Sequence, residues 1–354
     1  MAAVVVMGAG GVTGRRLAES LQAAGHVVTR VPADADVAAV RAAGADLAVL
    51  AVRDVADRAA LMHRLVAAGT SVLDAGADAL PSGGPADDAY ERLDAAARAG
   101  GVVAVPAAGA GLGDLLAAAA AEAVRGPREV HVCWAFPDRG GWRRALAPGY
   151  RATAAGRVTG PLSGPVEGRG VQEERTGEIR RLAWFPRPIG PAHAAVVPGP
   201  EAQAVPRHAP AVRVARTYLA MPAWRAELLQ ATATLARHPR VHRLIDRRWS
   251  PGGDPVVGPD AVRWACVAEA AGSDGVARAW ANGRDPVGLG VGTVVALAAA
   301  VLAGHCDAGA LPPARVDVPT ALLDRLAAAT RLRWSLIRPR PADGPSWQGG
   351  PRAG

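Results

Sequence analysis

Over the first 125 residues, short apolar runs alternate with longer stretches of helical period. Ala3–Met7, His26–Val31, Asp46–Val52, Thr70–Leu73 and Val102–Val105 read as strands, because they are short and largely β-branched. Arg15–Ala24, Ala38–Ala43, Asp54–Ala68 and Asp87–Ala99 between them read as helices, as does the Ala-rich stretch Gly111–Val124. Alternation of this kind predicts an α/β fold, with a doubly wound parallel Rossmann sheet over residues 1–125.

The pattern changes after Gly126. Glu129–Phe136, Ile179–Phe185, Ala194–Val197, Arg213–Ala220, Val262–Ala270 and Ala277–Asn282 read as separated strands, the last two joined by a Gly272-Ser273-Asp274-Gly275 hairpin turn. They predict a second, α+β domain over 126–285 built on a mostly antiparallel sheet, with a helix at Trp224–Leu235 and another in the Arg-rich stretch Arg237–Trp249. Pro286–Gly304 and Thr320–Ala329 read as helices that return to the first domain within 286–337, and 338–354 as a disordered tail.

Composition narrows the chemistry. The chain has 354 residues with 40 basic side chains and a formal charge of +8, and lysine is absent. A catalytic lysine is therefore excluded. The arginines are scattered and no nucleic-acid-binding motif accompanies them, so a nucleic-acid partner is not expected. The three cysteines have neither metal nor CxxC spacing, and no metal site is expected. No signal-like segment precedes the first strand, and the apolar stretch Gly288–Gly304 is too short for a membrane span. A cytoplasmic protein acting on a small molecule is the expectation, with a homodimer left open.

The most informative segment is Gly8-Ala9-Gly10-Gly11-Val12-Thr13-Gly14, between the first strand and the first helix. It fits G-x-x-G-x-x-G through Gly8, Gly11 and Gly14. A turn of this kind lets backbone N–H groups around Val12 and Thr13 meet a pyrophosphate at a helix N-terminus, so Gly8, Gly10, Gly11, Val12, Thr13 and Gly14 are expected to bind a dinucleotide. The second strand ends Val28-Thr29-Arg30-Val31 without an acid at its tip. Arg30 suits a ribose 2′-phosphate, which puts NADP(H) ahead of NAD(H).

Three segments of the first domain resemble the saccharopine dehydrogenase-like NAD(P)-binding family, which includes the bacterial trans-acting enoyl reductases. They are the glycine turn with Arg15, the strand Ser71-Val72-Leu73-Asp74 ending in an acid, and Gly109-Ala110-Gly111-Leu112-Gly113-Asp114-Leu115-Leu116. Gly149–Ala155 and Asp285-Pro286-Val287-Gly288-Leu289 resemble later family segments. The sequence departs from the family at Leu50-Ala51-Val52-Arg53 and at Val287. The resemblance implies a reductase passing hydride to a C=N or C=C bond, in a setting such as bacterial specialised metabolism. The nicotinamide would lie near Ala51, Val52, Ala75, Ala107 and Gly109.

Candidates for the remaining chemistry are Tyr150 as proton donor and Asp74 at the ligand edge of the sheet, either of which could equally be a packing or capping residue. Trp142, Arg151 and Trp184 are candidates for contact with substrate. Asp114 reads as a helix N-terminal charge, and His193 and His208 as solvated loop residues. Two alternatives stay open: a saccharopine-type amino-acid dehydrogenase using Arg143, Arg144 and Arg151 for carboxylates, and a dinucleotide-binding sensor, scaffold or cyclase without redox turnover.

Overall fold

A computed structural model describes residues 1–52, 55–76, 89–137, 176–235 and 262–339. The first domain begins β1 (Ala3–Met7), α1 (Val12–Ala23), β2 (Val27–Val31), α2 (Val37–Ala42), β3 (Leu47–Leu50), α3 (Val55–Ala67) and β4 (Ser71–Asp74). It continues with α4 (Ala89–Gly100), β5 (Val103–Val105), a 3-10 turn at Ala108–Ala110 and α5 (Gly111–Glu122). The strands follow the order β2-β1-β3-β4-β5 with every neighbour parallel, and Gly309–Ala310 adds a sixth parallel strand beside β5. Central strands such as β1 and β3 are apolar throughout because both faces of the sheet are covered. The order reverses between β1 and β3, and a doubly wound sheet opens a ligand crevice at the carboxyl ends of such a pair.

The second domain contains β6 (Glu129–Ala135), β7 (Arg180–Trp184), β8 (Pro191–Val197), α6 (Glu201–His208), β9 (Val214–Ala220), α7 (Ala223–Leu235), β10 (Arg263–Gly272) and β11 (Gly275–Arg284). Gly309–Ala310, already placed in the first sheet, is β12, and β13 (Arg333–Ile337) follows α8 (Pro286–Leu302) and α9 (Pro319–Thr330). The second sheet has the order β13-β11-β10-β6-β9-β8-β7 and is antiparallel except between β6 and β9. The expected Gly272–Gly275 hairpin turn joins β10 to β11, with Gly272 opposite Gly275.

Helix α5 joins the two domains. Its sequence Gly111-Leu112-Gly113-Asp114-Leu115-Leu116 followed by five alanines has strong helix formers and no bulky polar side chain, and every residue from Gly111 to Ala121 is buried. One core runs from Val4, Val6 and Leu17 of the first domain through Leu112, Leu115 and Leu116 to Val130, Val132, Trp264 and Cys266 of the second sheet. Helix α8 packs against α1 of the first sheet's layer and against α9. Beyond α8, β12 extends the first sheet and β13 pairs with β11 of the second. The sequence pattern showed neither strand, nor the eight-residue α6. The predicted helix at Arg237–Trp249 and the tail beyond Pro339 lie outside the described residues.

Candidate functional site at the carboxyl edge of the first sheet

The glycine turn divides into two pairs with different physical roles. Gly8 has φ +80, and a Cβ there would lie 2.5 Å from the Ala51 carbonyl oxygen. A Cβ on Gly14 would lie 2.3 Å from the Gly8 carbonyl oxygen. Both glycines are therefore required by the packing of the turn itself. Gly10 and Gly11 are exposed, and a Cβ on Gly10 would meet nothing within 4 Å. The backbone is thus bare on the outer side of the turn, where the fold does not need it to be. Gly11 is the N-cap of α1, contributes no side-chain cap, and no acid occupies the first turn of that helix. The helix N-terminus keeps its positive pole and its unsatisfied N–H groups for an anion.

The neighbouring strand ends are drawn together by short backbone contacts. The Ala51 N–H donates to the Met7 carbonyl and the Ala75 N–H to the Leu50 carbonyl, each at 2.9 Å. A Cβ on Gly109 would lie 2.2 Å from the Ala75 carbonyl oxygen. Gly8, Ala51, Ala75 and Gly109 thus approach one another through backbone, with Val52 and Ala107 close to them in the chain. Ala107 holds a left-handed backbone, φ +52, which is strained for a residue with a Cβ. It starts the Ala108–Ala110 turn that carries the chain from β5 into α5.

Arg30 is exposed next to the end of β2, with its guanidinium 3.0 Å from Gln22 Oε1 of α1. Asp36, beyond the end of β2, is engaged as the N-cap of α2, accepting from the Ala39 N–H at 2.9 Å.

Asp74 is 1% exposed. Its carboxylate pairs with Arg58 at 3.2 Å and accepts from the Gly76 N–H at 2.8 Å, while Arg58 donates to the Val52 carbonyl at 3.1 Å. The pair braces the ends of β3 and β4 from below. Tyr150, Trp142 and Arg151 lie outside the described residues, as do Arg143 and Arg144. Trp184 stands half exposed on the edge strand β7 and does not line the pocket between the domains.

That pocket lies beside Ala107. The Pro106–Gly111 turn, Asp114 and Tyr90 form one wall, and Pro200, Glu201, Gln203 and Ala204 of α6 form the other. Asp114 accepts from the Ala314 N–H at 2.9 Å and contacts His208 Nε2 at 2.7 Å, with the two side chains 3% and 6% exposed. His208 is therefore a buried partner of Asp114, not the solvated loop residue expected, because α6 carries it onto α5. Burial alone would lower its pKa, but the charge and hydrogen bond of Asp114, with Glu122 behind, hold it above the ordinary histidine value. Glu201 accepts from Trp134 Nε1 at 3.0 Å and from the Thr217 hydroxyl at 2.8 Å. The Arg207 guanidinium lies 3.9 Å from the centre of the Tyr90 ring.

The sequence reading passed over Tyr90, Glu201 and Arg207. The available signal was Gly113, where a Cβ would lie 2.2 Å from Glu201 Oε1, so the glycine marks a close approach to another segment.

Cysteine chemistry does not enter the site. Burial pushes the Cys133 thiol up to about 12 and the Cys266 thiol well above its usual value, which leaves no thiolate at neutral pH. No group of metal-ligating side chains occurs among the described residues, and no described helix is long and apolar enough to cross a membrane.

No protein-family model matches the chain, and no curated protein matches its sequence. Solved structures do match. Apo saccharopine dehydrogenase (L-Glu forming) from Saccharomyces cerevisiae aligns over 95% of this chain and 100% of its own, at 12% identity and a TM-score of 0.59. Amine dehydrogenase from Mycobacterium smegmatis aligns over 88% of this chain and 95% of its own, at 10% identity and a TM-score of 0.44. The likeness to the yeast enzyme extends over both domains, and the chain carries the saccharopine dehydrogenase-like fold that its own motifs resemble.

Proposed function

We propose that the protein is a nicotinamide-dependent oxidoreductase that uses NADP(H). The observation that carries this is the bare backbone at Gly10 and Gly11 over an uncapped helix N-terminus, at the crevice where the strand order reverses. The residues fit a dinucleotide. Gly10, Gly11, Val12 and Thr13 would hold the pyrophosphate, and Ala51, Val52, Ala75, Ala107 and Gly109 would border the nicotinamide. Arg30 supports the 2′-phosphate form, because β2 itself, Val27–Val31, carries an exposed guanidinium and no acid. When bound, the cofactor supplies or accepts hydride, and the chain's part is to bind, orient and shield. The small pocket between Ala107 and α6 adjoins the nicotinamide edge, and a small substrate with a C=N or C=C bond would approach from that side, the pocket widening to admit it.

Fluorescence titration with NADPH and NADH tests the reading. It predicts saturable binding with NADPH the tighter ligand, and it fails if neither binds at millimolar concentration. A dinucleotide-binding protein without turnover is the second reading, favoured by the engagement of Asp74 in a buried ion pair, which removes one candidate for chemistry. Transfer of deuteride from labelled NADPH into a product separates the two.

A further inference from the structure

Helix α6 is a short segment fixed at both ends to different domains. At its start, Glu201 is bound by Trp134 of β6 and Thr217 of β9, both in the second sheet. At its end, His208 is bound to Asp114 of α5, and Arg207 lies over Tyr90 of α4. Between those anchors, Glu201, Gln203 and Ala204 form one wall of the pocket beside Ala107. The helix has only eight residues and contains Pro206. A helix so short and interrupted has little stability of its own, so its order depends on its anchors.

We propose that α6 is a strap that closes the substrate pocket against the first domain, fastened there by His208 on Asp114 and loosened as the medium becomes alkaline. The proposal rests on the cofactor reading for treating this pocket as the substrate's. The charged groups facing His208 are Asp114 and Glu122 from α5 and Arg315 from the turn Pro313–Arg315, with Arg207 and Glu201 on α6 itself. Asp114 dominates among them, since it touches the ring, and it also ties in the Ala314 N–H. The sign follows from the raised pKa. The pair is an ion pair below the ordinary histidine value near 6.5, and it weakens to a hydrogen bond from an uncharged imidazole as pH rises through the higher folded value. The Glu201 anchor is bound by an indole N–H and a hydroxyl, neither of which titrates in this range. The strap should therefore open from its His208 end.

Amide hydrogen exchange read by mass spectrometry on the peptide spanning 201–209 tests this in the full chain. The reporters include the Ala204 N–H, bonded to the Pro200 carbonyl, and the Ala209 N–H, bonded to the Val205 carbonyl. After correction for intrinsic exchange, protection should fall about tenfold between pH 6 and pH 9 in the wild type, with α5 unchanged. His208→Gln should show the low protection at both pH values, and Asp114→Asn should do the same if it folds. The wild-type titration stands without either variant. Protection of α6 that is independent of pH, or unaltered in His208→Gln, would overturn the strap. NADPH titration on the same samples keeps the two readings apart. Tight binding with pH-independent α6 protection removes the strap alone, whereas absence of binding removes the substrate pocket that it is said to close.

Discussion

Arg16 and Asp285, 269 residues apart, are joined by two hydrogen bonds: Nη2 to Oδ2 at 2.6 Å and Nη1 to Oδ1 at 3.2 Å. Asp285 also caps α8 by accepting from the Gly288 N–H at 2.9 Å, and Pro286 fills the first position of that helix. A Cβ on Gly288 would lie 2.3 Å from Asp285 Oδ2, so Gly288 leaves room for the carboxylate. The Asp-Pro-Val-Gly segment is thus the joint at which β11 of the second sheet passes into a helix packed on α1 of the first.

Asp285→Ala should cost about 2 kcal/mol in chemical denaturation, since it removes a helix cap and a two-pronged ion pair together. Asp285→Asn keeps an acceptor for Gly288 and tolerates the φ of +56, so it should cost about half as much. Equal losses would mean that the charge on Arg16 contributes most of the effect.

The two pairs of glycines should respond differently to alanine. Gly8→Ala and Gly14→Ala place a methyl against backbone at 2.5 and 2.3 Å and should disrupt the turn, lowering thermal stability. Gly10→Ala should leave thermal stability nearly unchanged, because open space surrounds its Cβ. It should still weaken NADPH binding by about tenfold or more, as the methyl would stand where the pyrophosphate approaches. Unchanged affinity in Gly10→Ala would argue against the phosphate position.

Asp74 and Arg58 should behave as a positioning pair. Arg58→Met removes the ion-pair partner of a buried carboxylate and should cost about 3 kcal/mol. Arg58→Met with Asp74→Leu should recover part of that loss, because no charge remains buried. NADPH affinity should fall in the single variant, since Arg58 also holds the Val52 carbonyl at the cofactor edge. Full NADPH affinity in Arg58→Met would separate the pair from the site.

How much was legible in the sequence follows from what each feature depends on. The alternation of β1 to α5 and the glycine turn are local, so periodicity and spacing revealed them. The contact between Asp114 and His208 joins residues 94 apart, and nothing in the flanking Pro-rich sequence of His208 marks it as buried. Helix α6 contains a proline, which reads as a break, and its order comes from tertiary anchors. Strand β12 has two residues and no pattern of its own. Trp184 is a candidate for contact with substrate by residue type, and residue type does not show that it stands on the edge strand β7.

Cofactor preference should rest on Arg30. Arg30→Ala should weaken NADPH binding by roughly ten- to a hundredfold and leave NADH nearly unaffected, because only the 2′-phosphate is lost as a partner. Arg30→Asp should favour NADH by placing an acid near the ribose hydroxyl. Parallel fluorescence titrations check both, and equal losses for the two cofactors would remove Arg30 from that role.

His131 should make the second domain sensitive to acid. Its ring lies on β6 against Tyr218, at 5.6 Å between ring centres and nearly perpendicular. Burial is the largest influence on it, and Arg181 and Arg216 add to it, so its pKa is pushed down to about 4 despite Glu129. In the unfolded chain it titrates near 6.5. The folded state thus favours the neutral ring, and the resulting stability is complete above pH 6.5 and is lost as pH falls toward 4. The full span is on the order of 3 kcal/mol. His131→Gln, which cannot gain the charge, should flatten the decline in stability between pH 6.5 and 4 in urea titrations at fixed ionic strength. The opposite sign holds for His208, whose raised pKa removes stability on the alkaline side. A variant series in which His131→Gln leaves the acid limb as steep as in the wild type would show that the burden lies on other groups.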